Sequence, residues 1–180
     1  MPARVPVADY TSISPKAKGL WDKQMSDHGR MTEMKKTLAH SDVAFAALME
    51  WYPLYQQVCQ AIGELSCLIF AFALSSQTSC LICSTFFRRI LIQRGLQPES
   101  LELSKREVAL VEMAQHLAER SQRVPDKIFN DATAGLNEKD KVNLIAFAGM
   151  MIATNMINNA LQIPLDDYLQ EFRAPGSPVI

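Results

Sequence analysis

A chain of 180 residues with 48% hydrophobic and 21% charged side chains has the make-up of one folded domain with a substantial core, not of a disordered segment. A net charge of −1, with acids spread among the 18 lysines and arginines, argues against nucleic acid or an anionic membrane as partner. No apolar run near Met1 has the form of a secretory signal, so the expected compartment is a reducing cytoplasm, where structural disulfides are rare.

Residues 1–14 hold two prolines and no hydrophobic period, and predict an extended arm. Ser14-Pro15 then opens a helix, because proline at the first helical position loses no hydrogen bond. Apolar residues are sparse through Lys16–Ala39, which predicts short, partly exposed helices broken near Gly29. Ser41 is the expected cap of a helix over Asp42–Trp51, and Pro53 marks the next start. From Gln57 to Gln77 the residues Ile62, Leu65, Cys67, Leu68, Ile69, Phe70, Phe72 and Leu74 accompany one charge, Glu64. That composition predicts a helix buried on all sides.

Thr78 and Ser79, both good helix caps, precede a helix running to Arg94 with Gly95 as its C-terminal cap. Ser104-Lys105-Arg106-Glu107 has the spacing of a capping box. It opens an amphipathic helix with Val108, Val111, Ala114, Leu117 and Ala118 on its inner side. Pro125 starts a shorter helix through Ala132, Asn137 caps a long one over Glu138–Leu161, and Pro164 restarts a short one to Phe172. The most apolar stretches, Leu65–Leu74 and Val142–Ile157, fall short of the ~20 residues that span a bilayer. No segment alternates apolar and polar residues and no hairpin dipeptide occurs. The expectation is all-α: a single helical domain over 15–172, with an arm before it and a tail, 173–180, after it.

The residues that carry chemistry are Cys80 and Cys83. Two cysteines three apart at a helix start face the same way, and the positive end of the helix dipole favours a thiolate there. Apolar neighbours work in the opposite direction, by desolvation. Cys59 and Cys67 lie in apolar sequence and read as buried packing thiols. One C-x-x-C pair without further Cys or His at ligand spacing does not make a zinc site, which needs about four ligands. A thioredoxin-like protein would need strands between its helices. No metal or cofactor is called for.

The run L68-I-F-A-F-A-L-S-S-Q-T-S-C80-L-I-C83 resembles the central motif of alkyl hydroperoxidase D proteins, within the carboxymuconolactone decarboxylase family. The resemblance extends over about Lys36 to Pro164. It includes T37-L-A-H-S upstream, Gly95, G135-L-N-E-K-D, and N155-M-I-N-N-A-L-Q-I-P164. It implies an all-helical, oligomer-forming bundle (dimer, trimer or hexamer) and a peroxiredoxin-type antioxidant peroxidase. Cys83 would attack a hydroperoxide as the peroxidatic cysteine, Cys80 would resolve the sulfenic acid to a disulfide, and a protein thiol or lipoyl reductant would reopen it. The family motif also has a glutamate twelve residues before the first cysteine and a histidine four after the second. Leu68 and Phe87 occupy those positions. Without that proton relay, typically worth ~10²–10⁴-fold, the expected peroxidase is weak. Glu64, Gln77 and His116 are the auxiliary groups that could stand in for it. The rival expectation is a redox-inactive helical oligomer of the same family, serving in ligand binding or protein association.

Overall fold

The computed structural model describes residues 3–119 and 122–175, and among these the regular structure is entirely helical. The helices are α1 (Pro15–His28), α2 (Glu33–Leu38), α3 (Asp42–Met49), α4 (Trp51–Ile62), α5 (Glu64–Gln77), α6 (Leu81–Gln93), α7 (Lys105–Ala118), α8 (Asp126–Ala132) and α9 (Glu138–Leu161). A 3₁₀ segment, Asp167–Phe172, follows α9.

Local chemistry sets most of these boundaries. Ser14 Oγ accepts the Ala17 N–H at the start of α1, with Pro15 in the first turn, and Gly29 ends the helix in the left-handed region at φ 69°. Ser104 and Glu107 form the complete capping box of α7, and Asn137 Oδ1 accepts the Asp140 N–H to open α9. The run Gln57–Gln77, uniform in composition, is cut by Gly63, whose φ of 89° and ψ of 147° belong to no helix and separate α4 from α5. α3 stops at Met49, and Pro53 lies inside the first turn of α4, where its missing N–H costs nothing. On α7 the buried side is Ala109, Leu110, Met113, Ala114 and Leu117, while Val108 is 43% exposed. The inner face is thus set by Leu110 and Met113 rather than by Val108 and Val111.

Among the described residues two main hydrophobic clusters form, beside a small third one of Cys80, Ile82, Cys83 and Ile163. The larger is built from α4 to α9 around Leu68, Phe70, Leu110, Met113 and Phe147. The smaller joins Ala8 and Ile13 of the arm to Ala17, Leu38, Phe45 and Leu48 of α1, α2 and α3. α9 borders both, since Phe147 and Met151 belong to the first and Met150 and Ile157 pack on the second. At 24 residues α9 outruns the apolar stretch Val142–Ile157, and by length and composition alone it could cross a membrane. Here its Leu144, Phe147, Ala148 and Met151 are buried in the protein core. Residues 3–14 are not helical. Arg4 binds the end of α9, its N–H donating to Leu161 O at 2.9 Å and its guanidinium to Ala160 O at 3.0 Å.

Candidate active site

The C-x-x-C lies at the junction of α5 and α6, and three residues shape it before any thiol chemistry enters. Thr78 closes α5, its hydroxyl donating to Leu74 O at 2.9 Å. Ser79 takes a left-handed φ of 53°, which turns the chain sharply. Cys80 itself is the N-cap of α6: its sulfur accepts the Cys83 N–H at 3.4 Å, in the place that Thr78 or Ser79 was expected to fill. An α6 that starts one residue later brings the first cysteine out of the helix and leaves the second in its first turn.

α9 reaches across with three asparagines at helical spacing. Asn158 Nδ2 donates to Cys83 Sγ at 3.2 Å and lies 3.6 Å from Cys80 Sγ. Asn155 Nδ2 donates to the Thr78 hydroxyl at 2.7 Å, and Asn159 Nδ2 to the Thr78 carbonyl at 2.9 Å. The sequence carried this signal in the 155, 158, 159 spacing, which puts three amides on one face of an apolar helix.

These contacts divide the charge between the sulfurs. The Cys83 S–H donates to Cys80, and against the opposing effect of burial this holds the Cys80 thiol below its ordinary range, helped by the Cys83 backbone N–H and Asn158. Cys83 is pushed well up, first because it is the donor in that bond, then by burial and by the charge on Cys80. Of the two, Cys80 is therefore the sulfur that loses its proton more readily and Cys83 the one that keeps it. The helix start favours a thiolate, as the sequence led one to expect, but on the first cysteine. Access runs the other way. Cys80 is wholly buried, whereas Cys83 is 7% exposed and forms part of a cavity wall.

That cavity has a volume of about 130 Å³ and is open to solvent at its mouth. It lies between the two hydrophobic clusters. Its walls include Met34 and Lys35 of α2, Trp51 and Tyr52 of α4, Cys83, Phe86 and Phe87 of α6, Met151 and Asn158 of α9, and Asp166 and Tyr168 near the 3₁₀ segment. Trp51 is fixed by stacking on Tyr55 at 4.8 Å and by an indole N–H donated to Met151 Sδ at 2.8 Å. Asn158 Oδ1 and Asp166 Oδ2 are buried without a hydrogen-bond partner, which leaves two spare acceptors in the wall. Lys35 is buried, donates to the Tyr52 hydroxyl, and is pulled down to about 8, chiefly by burial, with the Asp166 charge opposing. A Lys-Lys pair in a sparsely apolar segment gave no hint of this.

The relay positions are apolar in space as well as in sequence. Leu68 is 1% exposed in the main core, and Phe87 lies against Trp51 in the cavity wall, ring centroids 6.4 Å apart. None of the three auxiliary candidates joins the thiols. Glu64 opens α5, at the end remote from Cys80, and pairs with Arg94, which holds its carboxyl below the usual range. Gln77 is exposed at the end of α5. His116 lies on α7, 3.7 Å from Glu119. Helical spacing placed Glu64 on the face of Leu68, but that face points into the core and not toward the cavity. Cys67 is buried and Cys59 half-buried, both as free thiols. Among the described residues no cluster of His, Cys, Asp or Glu could hold a metal ion.

Solved structures match this chain over almost its whole length. A protein described as an alkylhydroperoxidase AhpD core, an uncharacterized peroxidase-related protein from Ralstonia eutropha JMP134, aligns with a TM-score of 0.72 at 16% identity, over 94% of this chain and 95% of its own. The fold is that of the alkylhydroperoxidase AhpD core. An uncharacterized peroxidase-related protein from Silicibacter sp. TM1040 gives 0.71 at 16% identity, over 96% of both chains. A cysteine-to-alanine variant of the debrominase Bmp8, solved with 2,3,4-tribromopyrrole, gives 0.77 at 13% identity, over 96% of both chains. No family model and no curated protein sequence matches the chain.

Proposed function

We propose that this AhpD-like chain is a thiol-dependent oxidoreductase whose Cys80–Cys83 pair reduces a small substrate admitted through the cavity, with organic hydroperoxides as the first candidates. The observation that carries the reading is Asn158 Nδ2, hydrogen-bonded to Cys83 Sγ and close to Cys80 Sγ, with Cys83 alone of the two facing the cavity. A pair that shares one proton can move it. Passing the Cys83 proton to Cys80 makes the accessible sulfur the thiolate, and Asn158 holds the charge through the exchange.

Cys83 then attacks the distal oxygen of ROOH, whose O–H is accepted by Asn158 Oδ1. The O–O bond breaks, Cys83 becomes a sulfenic acid, and RO⁻ leaves as ROH after taking a proton from solvent. The Cys80 thiol condenses with the sulfenic acid, forming the disulfide and releasing water. Two electrons pass from the thiols to the peroxide, and a protein dithiol or lipoyl group in a reducing cytoplasm returns them. With Leu68 and Phe87 in the relay positions, the internal proton exchange between the cysteines is the acid–base chemistry that remains, which is consistent with a slow enzyme.

The test uses cumene hydroperoxide, dihydrolipoamide as reductant, and intact-mass spectrometry. The unmutated chain is expected to form an internal disulfide. Cys83→Ser should consume no peroxide, and Cys80→Ser should accumulate overoxidised Cys83. Equal peroxide consumption in all three proteins removes the proposal and leaves a redox-inactive ligand-binding or association role, as an oligomer, in its place.

A second reading is supported by the aromatic walls of the cavity together with the debrominase neighbour. The same dithiol, passing two electrons to a halogenated aromatic ring, would yield the ring C–H, a halide ion and the disulfide. Halide release from a bromopyrrole without peroxide present would select it.

A further inference from the structure

The cavity has a polar end that the thiol chemistry does not use. Lys35 is 6% exposed, and among the described residues its ammonium takes part in no ion pair, its hydrogen bond going to the neutral Tyr52 hydroxyl. A buried charge without a counter-ion is a costly thing to keep, and a lysine shed of that cost would be replaced by an apolar side chain. Two more cations stand close by: the guanidinium of Arg30 lies 4.1 Å from the ring centroid of Tyr168, and that of Arg89 lies 5.5 Å from it. Neither takes part in an ion pair among the described residues. Tyr168 and Lys35 both line the cavity, so this end of it carries a positive field, and its other walls are Trp51, Phe86, Phe87 and Met151.

We propose that the cavity recognises a flat aromatic molecule bearing one ionised oxygen group, a carboxylate or phenolate, which sits on Lys35 while the ring lies along Trp51, Phe86 and Phe87 toward Cys83. As a statement of substrate class this rests on the redox reading, but the binding itself needs no thiol chemistry. The acid that faces Lys35 is Asp166, one of whose oxygens accepts the Glu33 N–H at 2.9 Å and the other of which is unpartnered. Burial raises the Asp166 carboxyl above its usual range, while the Glu33 N–H and the Lys36 charge oppose the shift. The remaining groups around Lys35 are Tyr52 and Tyr168, both raised by burial and neutral, His28 stacked 4.3 Å from Tyr52 and lowered by burial, and Glu33, already paired with Lys36. None of these supplies the missing negative charge. The protonated lysine is present below about 8 and is lost above it, so anion affinity is full at neutral pH and falls as pH rises.

Isothermal titration of the reduced full chain with 2-naphthoate and with neutral 2-naphthalenemethanol tests this. At pH 6.5 the carboxylate is expected to bind at least tenfold more tightly. That preference should shrink roughly tenfold or more by pH 9.5, and should vanish in Lys35→Met while the alcohol still binds. The pH arm needs no variant, and retained alcohol binding shows that Lys35→Met is folded. Equal affinity for the two ligands at pH 6.5, no binding of either, or an undiminished preference in Lys35→Met overturns the proposal. Since no thiol reaction is read, a failed peroxide assay and a failed titration are separate outcomes.

Discussion

Replacing Asn158 by leucine keeps the size of the side chain and removes an amide donor that reaches both sulfurs, along with its own orphaned oxygen. A hydrogen bond to a charged acceptor contributes about 1.5–3 kcal/mol. Alkylation of the pair by iodoacetamide at pH 7 should therefore slow roughly tenfold or more in Asn158→Leu, with the midpoint of its pH profile moved up. Stability should change little, because donor and spare acceptor leave together. The relay positions call for different treatment from each other. Phe87 lines the cavity, so Phe87→His places an imidazole where substrate comes, and a faster peroxide rate is expected at neutral pH. Leu68→Glu instead buries a carboxylate in the main core, a loss of several kcal/mol, and should be read as a drop in melting temperature without any gain in rate. At this scale the two cysteines and the two relay gaps were legible because they sit at fixed spacings in one short segment. Lys35 and Asp166 were not, being 131 residues apart in the chain and joined only by the packing of α2 against the segment after α9.

Cys80 has a structural duty as the N-cap of α6, separate from any chemistry. Serine, a better capping acceptor, preserves it, whereas alanine removes it at a cost of about 1 kcal/mol. Cys80→Ala should melt about 2–4 °C below Cys80→Ser, which makes serine the cleaner substitution for kinetic work. The caps at Ser14, Ser104 and Asn137 could be read from the sequence since each precedes a change in hydrophobic pattern. The cap at Cys80 could not. Thr78 and Ser79 are the stronger cap formers, and only the left-handed turn at Ser79 and the asparagines on α9 hand the role to the next residue. The division of α4 from α5 was hidden for a related reason. Apolar composition continues across Gly63, and a backbone break there is written in one φ angle rather than in any change of hydrophobicity.

Across the whole molecule, the cavity occupies the seam between two cores, and Lys35 is where stability and recognition pull against each other. Its amine is lowered in the folded chain to about 8 from an unfolded value of 10.5. The unfolded chain thus binds more protons between those values, and stability rises with pH across that window. Below it the buried charge costs up to about 3 kcal/mol, less whatever the bond to Tyr52 returns. Lys35→Met should raise the melting temperature by several degrees at pH 6–7, with the gain fading as pH climbs from 8 to 10.5 and gone beyond it. A gain that grows over this range would contradict the assignment. The all-helical fold was legible because caps such as Ser14, Ser104 and Asn137 mark helix starts and no segment alternates as a strand would. The seam was not, since it depends on how two clusters meet. The arm bears on practice as well as on structure. Arg4 holds the last carbonyls of α9, two and three residues past Asn158, so an affinity tag fused close to that arginine, or a shortened expression clone starting after it, acts on the same helical turn that orients the thiols. Kinetic comparisons between preparations should therefore be made on chains with identical N-termini.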